Sequence, residues 1–159
     1  MVGKPRYDID FRDFVNIDLN RAMRSLRDAF QVRALNETGL NLQEWRALLN
    51  LARFGDSHLR ELARLDSLDA AHTGRAVLEL EKKGLIRRQD DAADSRRKRL
   101  AVTPQGHAVV DEVWAKARAL DEDVKLRVGK TRHKALKESL ALILEMEAEQ
   151  EPLCEIAAE

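Results

Sequence analysis

From Phe11 to Leu35 the apolar residues Phe11, Val15, Leu19, Met23, Leu26 and Phe30 recur at intervals of three or four, the spacing of one face of a helix. Gly39 ends that element. Asn41 is placed to start a second helix, with Trp45, Leu48, Leu49 and Ala52 along one face and Gly55 at its end. A short third helix follows. Its predicted N-cap is Ser57, with Glu61 a few residues behind, and its apolar side is Leu59, Leu62, Ala63 and Leu65. Asp66-Ser67-Leu68 reads as a tight turn, and Asp69 can cap the next helix by accepting backbone N–H bonds. That helix is predicted to run to about Lys83 and to stop at Gly84, with Lys82 and Lys83 where cations suit the helix dipole.

The period then changes. Leu85 to Gln89 is a short strand candidate, Asp90 to Ser95 is rich in turn formers, and Arg97 to Thr103 alternates polar and apolar positions, so a hairpin is expected. Pro104 and Gly106 punctuate its exit. A long helix is predicted from His107 to about Val128, broken by Gly129, and a last one from Thr131 to about Gln150 carrying Leu136, Leu140, Ile143, Leu144 and Met146. The chain thus reads as mainly α with one small β-hairpin. Residues 41–103 form a helix-turn-helix with a hairpin wing, flanked by helices at 11–36 and 107–150.

This order suggests double-stranded DNA as a partner. The major groove admits one helix, whose N-terminal residues reach base edges, and a hairpin beside it can reach the backbone or the neighbouring minor groove. On the helix after the turn, Thr73, Ala76, Val77 and Leu80 share one face and should pack inward. His72, Arg75, Glu79 and Lys82 then face outward, with His72 and Arg75 near the N-terminus. Gly74 costs about 1 kcal/mol relative to Ala inside a helix. Either close approach of the backbone to DNA or a packing contact with the preceding helix would offset it.

The overall charge is zero, which taken alone argues against nucleic acid, but its distribution differs. Residues 82–99 hold eight Lys and Arg against three Asp, a local charge of +5, while the chain from Pro104 onward is acidic. A focused basic patch can grip phosphates, although the same run would also suit a solvated loop. No stretch approaches ~18 consecutive apolar residues, so no membrane span is expected. The N-terminus lacks an apolar signal core, and a cytoplasmic protein is expected. Cys154 is the only cysteine. With no Gly-rich phosphate loop, no Gly-x-Ser-x-Gly, and four histidines at no metal-pair spacing, neither catalysis, a metal nor a cofactor is expected.

The residues that carry these readings resemble the MarR family of bacterial transcription regulators. The resemblance lies in Leu62-Ala63, in Leu80-Glu81-Lys82-Lys83-Gly84-Leu85-Ile86, in Asp91-Ala92-Ala93-Asp94-Ser95-Arg96, and in Val102-Thr103-Pro104-Gln105-Gly106, with Glu44-Trp45-Arg46 upstream. It implies a homodimer whose N- and C-terminal helices interleave above two DNA-binding lobes. The expected DNA contacts are Ala71, His72, Gly74 and Arg75 on the recognition helix, with Arg96, Arg97 and Arg99 on the wing. Arg96 would sit at the wing tip, in the minor groove, and Asp94 would hold the wing. Departures at Ala71, His72, Ala92 and Ser95 bear on which operator is read. The resemblance further implies a small aromatic or phenolic ligand, for which Trp45 and Arg46 could supply a stacking face and a counter-charge; the alternative makes Trp45 core and Arg46 surface. The dimer has independent support. A lobe of about fifty residues cannot cover the apolar stripes of the flanking helices, and two-fold pairing could. The expected function is a DNA-binding repressor released from a palindromic operator by its ligand. The alternative is a winged helix used only for protein–protein assembly.

Overall fold

The computed structural model describes residues 14–66, 70–91 and 97–148. In chain order these form α1 (Val15–Phe30), α2 (Leu42–Phe54), α3 (Leu59–Asp66), α4 (Ala70–Lys82), β1 (Ile86–Asp90), β2 (Lys98–Val102), α5 (Pro104–Val128) and α6 (Lys130–Ala148). Between α1 and α2 the chain passes through a π-helical segment, Gln31–Leu35, and a 3-10 turn, Asn36–Thr38. The chain divides into two compact units, residues 1–117 and 118–159.

The first unit is built on one apolar core. Leu35, Leu40, Trp45, Leu48 and Leu51 meet Leu62, Val77 and Leu80, with Ile86, Leu100 and Val113 closing it. The inward face expected for α4 is observed: Thr73, Ala76, Val77 and Leu80 are all buried. On α3 only half the expected apolar side is. Leu62 and Ala63 are buried, while Leu59 and Leu65 are exposed.

Local chemistry sets the element ends. Asn41 caps α2 with a full capping box. Its side chain accepts from Gln43 N and Glu44 N, and Glu44 returns an acceptor to Asn41 N. α4 ends in a Schellman motif. Gly84 takes φ +71°, its N–H donates to Glu81 O at 3.0 Å, and Leu85 N–H donates to Leu80 O at 3.0 Å.

Two expected boundaries are corrected. Ser57 is not the N-cap of α3. Its backbone is already spent on Leu100, with Leu100 N donating to Ser57 O at 2.9 Å and Ser57 N to Leu100 O at 3.3 Å. The cap position falls to His58, whose N–H donates to Glu61 Oε2 at 2.8 Å. Pro104 and Gly106 do not stand between hairpin and helix; they are the first turn of α5. Proline suits that position because the N–H it lacks would be unpaired there. The Thr103 hydroxyl accepts from Gly106 N at 3.0 Å and donates to Gly84 O at 2.7 Å, joining the end of α4 to the start of α5.

The hairpin is antiparallel, with Ile86 opposite Val102 and Asp90 opposite Lys98. The predicted start of the first helix at Phe11, the turn at Ser67 and Leu68, the cap at Asp69 and the tail at Cys154 lie outside the described residues. In the second unit, His133 Nε2 lies 3.2 Å from Asp121 Oδ1, and Lys125 Nζ donates to Glu122 at 2.7 Å, an ion pair that raises the Lys125 pKa. Leu136, Leu142, Ile143 and Leu144 of α6 are exposed. In the first unit α1 buries no residue, and Val15, Met23 and Leu26 are exposed. Among the described residues no helix is long and apolar enough to cross a membrane.

Candidate nucleic-acid interface

α3 and α4 present a polar surface opposite the core they share. On α4, Ala71, His72 and Arg75 are exposed, and Gly74 is half-buried. A Cβ built on Gly74 meets nothing within 4 Å. Packing against the preceding helix therefore does not account for this glycine. Arg75 makes no ion pair among the described residues. A shallow cavity of about 270 Å³ runs between the first turn of α2 and α4, lined by Asn41, Gln43 and Glu44 on one side and His72, Arg75 and Glu79 on the other. Glu79 is held below its ordinary pKa by its hydrogen bond from Lys82. Its charge lies more than two turns from the helix start.

The basic run of residues 82–99 is largely compensated within the fold. Lys82 pairs with Glu79 at 2.6 Å, Lys83 with Glu44 at 2.6 Å, Arg88 with Glu81 at 3.1 Å, Arg99 with Asp91 at 3.6 Å, and Lys98 with Asp90. Arg87 and Arg97 are exposed and outside any ion pair among the described residues. Arg60 and Arg64 of α3 are in the same state, and the sequence reading passed over them. Their spacing of four on the polar side of α3 is the signal that could have found them. In a helix-turn-helix the first helix crosses the DNA backbone, where such cations meet phosphates.

The wing is held at its base by a cluster that no local pattern in the sequence announces. His58 Nε2 stands 2.9 Å from Asp91 Oδ2, and His58 Nδ1 stands 3.0 Å from Lys98 O. Both partners are acceptors, so the imidazolium meets both contacts and a neutral ring donates to only one. Asp56 adds two ties: its carboxylate accepts from Gln89 Nε2 at 2.6 Å, and its carbonyl accepts from Arg99. Through the isolated Ser57–Leu100 bridge, the segment 56–58 is tied to β2 at one residue pair. Arg99, expected as a DNA contact, is half-buried and tied to Asp91 and Asp56. Asp94 and Arg96 lie outside the described residues.

Glu61 sits under the same corner. The His58 backbone N–H holds its carboxyl below the ordinary glutamate range, with smaller contributions from the charges of His58, Arg99 and Arg97. Trp45 is only 4% exposed and packs its ring 6.2 Å from that of Phe30, within the core, whereas Arg46 is exposed. Among the described residues no group of three or more His, Cys, Asp or Glu could hold a metal ion.

Residues 40–98 match the MarR family. Over 133 residues the chain is 26% identical to the HTH-type transcriptional regulator FarR of Neisseria gonorrhoeae, covering 84% of this chain and 90% of that one. Among solved structures it is similar to a probable transcriptional regulator from Pseudomonas aeruginosa, with 28% identity and a TM-score of 0.74 over 84% of this chain and 99% of that one. It is also similar to CouR from Rhodococcus jostii RHA1, solved with p-coumaroyl-CoA bound, with 26% identity and a TM-score of 0.69 over 82% of this chain and 92% of that one.

Proposed function

We propose, for a chain that belongs to the MarR family of winged helix-turn-helix transcriptional regulators, a sequence-specific DNA-binding regulator acting as a homodimeric repressor on a near-palindromic operator. The observation that carries this reading is the outward face of α4. His72 and Arg75 are exposed at the end of the helix that would enter the major groove, while the opposite face is locked into the core. His72 and Arg75 read bases, and Gly74 lets the backbone come close. Arg60, Arg64, Arg87 and Arg97 contact phosphates, and Arg96 reads groove shape. Asp94 and the His58–Asp91–Arg99 cluster hold the wing. In this assignment Arg99 acts through wing position, because its guanidinium is already engaged.

The homodimer is supported by the apolar side chains that a single chain leaves exposed on α1 and on α6. Burying them against a second copy removes them from water at about 25 cal/mol per Å². The proposed inducer is a small aromatic or phenolic compound. CouR, solved with p-coumaroyl-CoA bound, supports a phenolic group on the ligand. Trp45 and Arg46 are its proposed contacts; Trp45 is 4% exposed beside Phe30, so a ligand that stacks there opens that packing.

A salt titration on operator and scrambled duplexes tests the assignment. Arg75→Ala and His72→Ala each cost ~1–3 kcal/mol of operator binding, with less effect on scrambled DNA. Arg96→Ala weakens both duplexes alike and flattens the log–log salt slope by about one unit per lost phosphate contact. If none of these variants changes DNA binding, the reading fails.

A further inference from the structure

We propose that Lys83 is a positioning residue for the recognition helix, tying the C-terminal end of α4 to the turn that leads into α2. Its Nζ donates to Glu44 Oε2 at 2.6 Å and to Gly39 O at 2.8 Å. The Glu44 side chain is only 5% exposed, and the same oxygen accepts from Asn41 N at 3.0 Å. One buried carboxylate oxygen thus joins the start of α2 to the end of α4.

The turn that Lys83 grips is also held from two other elements. Gln31, just past α1, donates from Nε2 to Leu40 O at 3.1 Å, and Lys116 of α5 pairs with Glu37. The segment 36–44 is therefore where the chain on either side of the DNA-binding lobe meets the recognition helix, and Lys83 is the contact from α4. Leverage makes the contact matter. His72 lies eleven residues up the helix, about 16 Å at 1.5 Å per residue, so a tilt of ~5° at Lys83 moves it by more than ~1 Å. Base readout tolerates little of that. A buried ion pair adds little net stability compared with a neutral pair of similar size, because desolvation offsets attraction. The effect of this pair therefore falls on geometry.

The proposal rests on α4 reading DNA, and the test separates the two. Glu44→Gln with Lys83→Met keeps an acceptor for Asn41 N and leaves no unpaired buried charge. Lys83→Arg retains the charge and the donors. The readouts are thermal melting, backbone amide NMR signals of Ala71 to Val77 without DNA, and affinity for operator and scrambled duplexes. In the double variant melting stays close to wild type and the Ala71–Val77 amide signals shift. Operator affinity falls about tenfold, comparable to the loss of one base contact, while scrambled-duplex affinity is held. Lys83→Arg restores all of these. Unshifted amide signals with intact operator discrimination overturn the proposal. So does an equal loss on both duplexes that tracks a lowered melting temperature, since that marks a merely structural role. If the wild type does not discriminate between duplexes, the DNA reading falls instead, and the amide shifts alone decide whether Lys83 positions α4.

Discussion

The imidazole of His58 and the carboxylate of Asp91 meet at 2.9 Å, across 33 residues of chain, and pin the wing to the helix-turn-helix. His58→Ala removes the ring contacts to Asp91 and to Lys98 O. A destabilisation of about 1–2 kcal/mol is expected by thermal unfolding, in the range for buried polar partners left short of a bond. Affinity should fall on operator and scrambled duplexes alike, because the wing contributes groove shape and phosphate contact more than base identity. Unchanged affinity on both would remove His58 from the wing's support.

Gly106 should tolerate no side chain. A Cβ there would lie 2.1 Å from the Leu85 carbonyl oxygen and 2.7 Å from Val102 Cγ1. The nearest atom is backbone between α4 and β1, so relief requires moving α5 away from the hairpin. Gly106→Ala is expected to destabilise by about 3 kcal/mol, the upper end for overpacking. A denaturant melt within experimental error of wild type would show that α5 can shift freely.

Gly74 should behave in the opposite way. Nothing occupies the space around it, so Gly74→Ala is expected to stabilise the free protein by up to about 1 kcal/mol through helix propensity alone. The same methyl group stands where DNA backbone or base edges would come close. Operator affinity should drop while the melting temperature rises. A variant that is more stable and binds the operator as well as wild type rules out close approach at Gly74.

Dimerisation should depend on α6. Ile143 is 40% exposed and Leu142 and Leu144 are 66% exposed, so a charge at Ile143 does little damage within one chain. Ile143→Glu is expected to give a folded monomer, or a strongly weakened dimer, by light scattering, with operator affinity lost in parallel. A variant that remains dimeric at micromolar concentration places the interface elsewhere.

Acid should loosen the start of α3. Because the His58 backbone N–H lowers the Glu61 pKa in the folded chain, Glu61 contributes stability above its unfolded pKa. That contribution is lost as pH falls through the lowered folded value. Carboxyl NMR titration should place the Glu61 midpoint below that of a flexible glutamate. Amide exchange at His58 should quicken over the same acidic range, and Glu61→Gln should abolish the pH dependence. A midpoint above the ordinary range would falsify the capping role.

Much of this protein is legible in local chemistry. Helix spacing, the Asn41 cap, the Gly84 stop and the inward face Thr73–Ala76–Val77–Leu80 each depend on residues within a few positions of one another. The same holds for the hairpin, because alternating residues around a polar turn determine their own pairing. Two boundaries differ, for different reasons. Ser57 resembles an N-cap, but Leu100, far along the chain, claims its backbone. Pro104-Gln105-Gly106 resembles a loop, yet proline suits the first turn of a helix equally well.

By itself, the order of amphipathic segments determined a winged helix-turn-helix and the face of α4 that looks outward, because periodicity and capping are properties of neighbouring residues. Only the tertiary structure decided which charges remain free for a partner. The run of basic residues at 82–99 looked like one patch, yet Glu44, Glu81, Asp90 and Asp91 neutralise much of it, and Arg60, Arg64 and Arg75, on other elements, make no ion pair among the described residues. An ion pair acts over a few ångströms in space regardless of separation in sequence. Composition could count these charges, and only the packing of α2, α3, α4 and the hairpin could pair them.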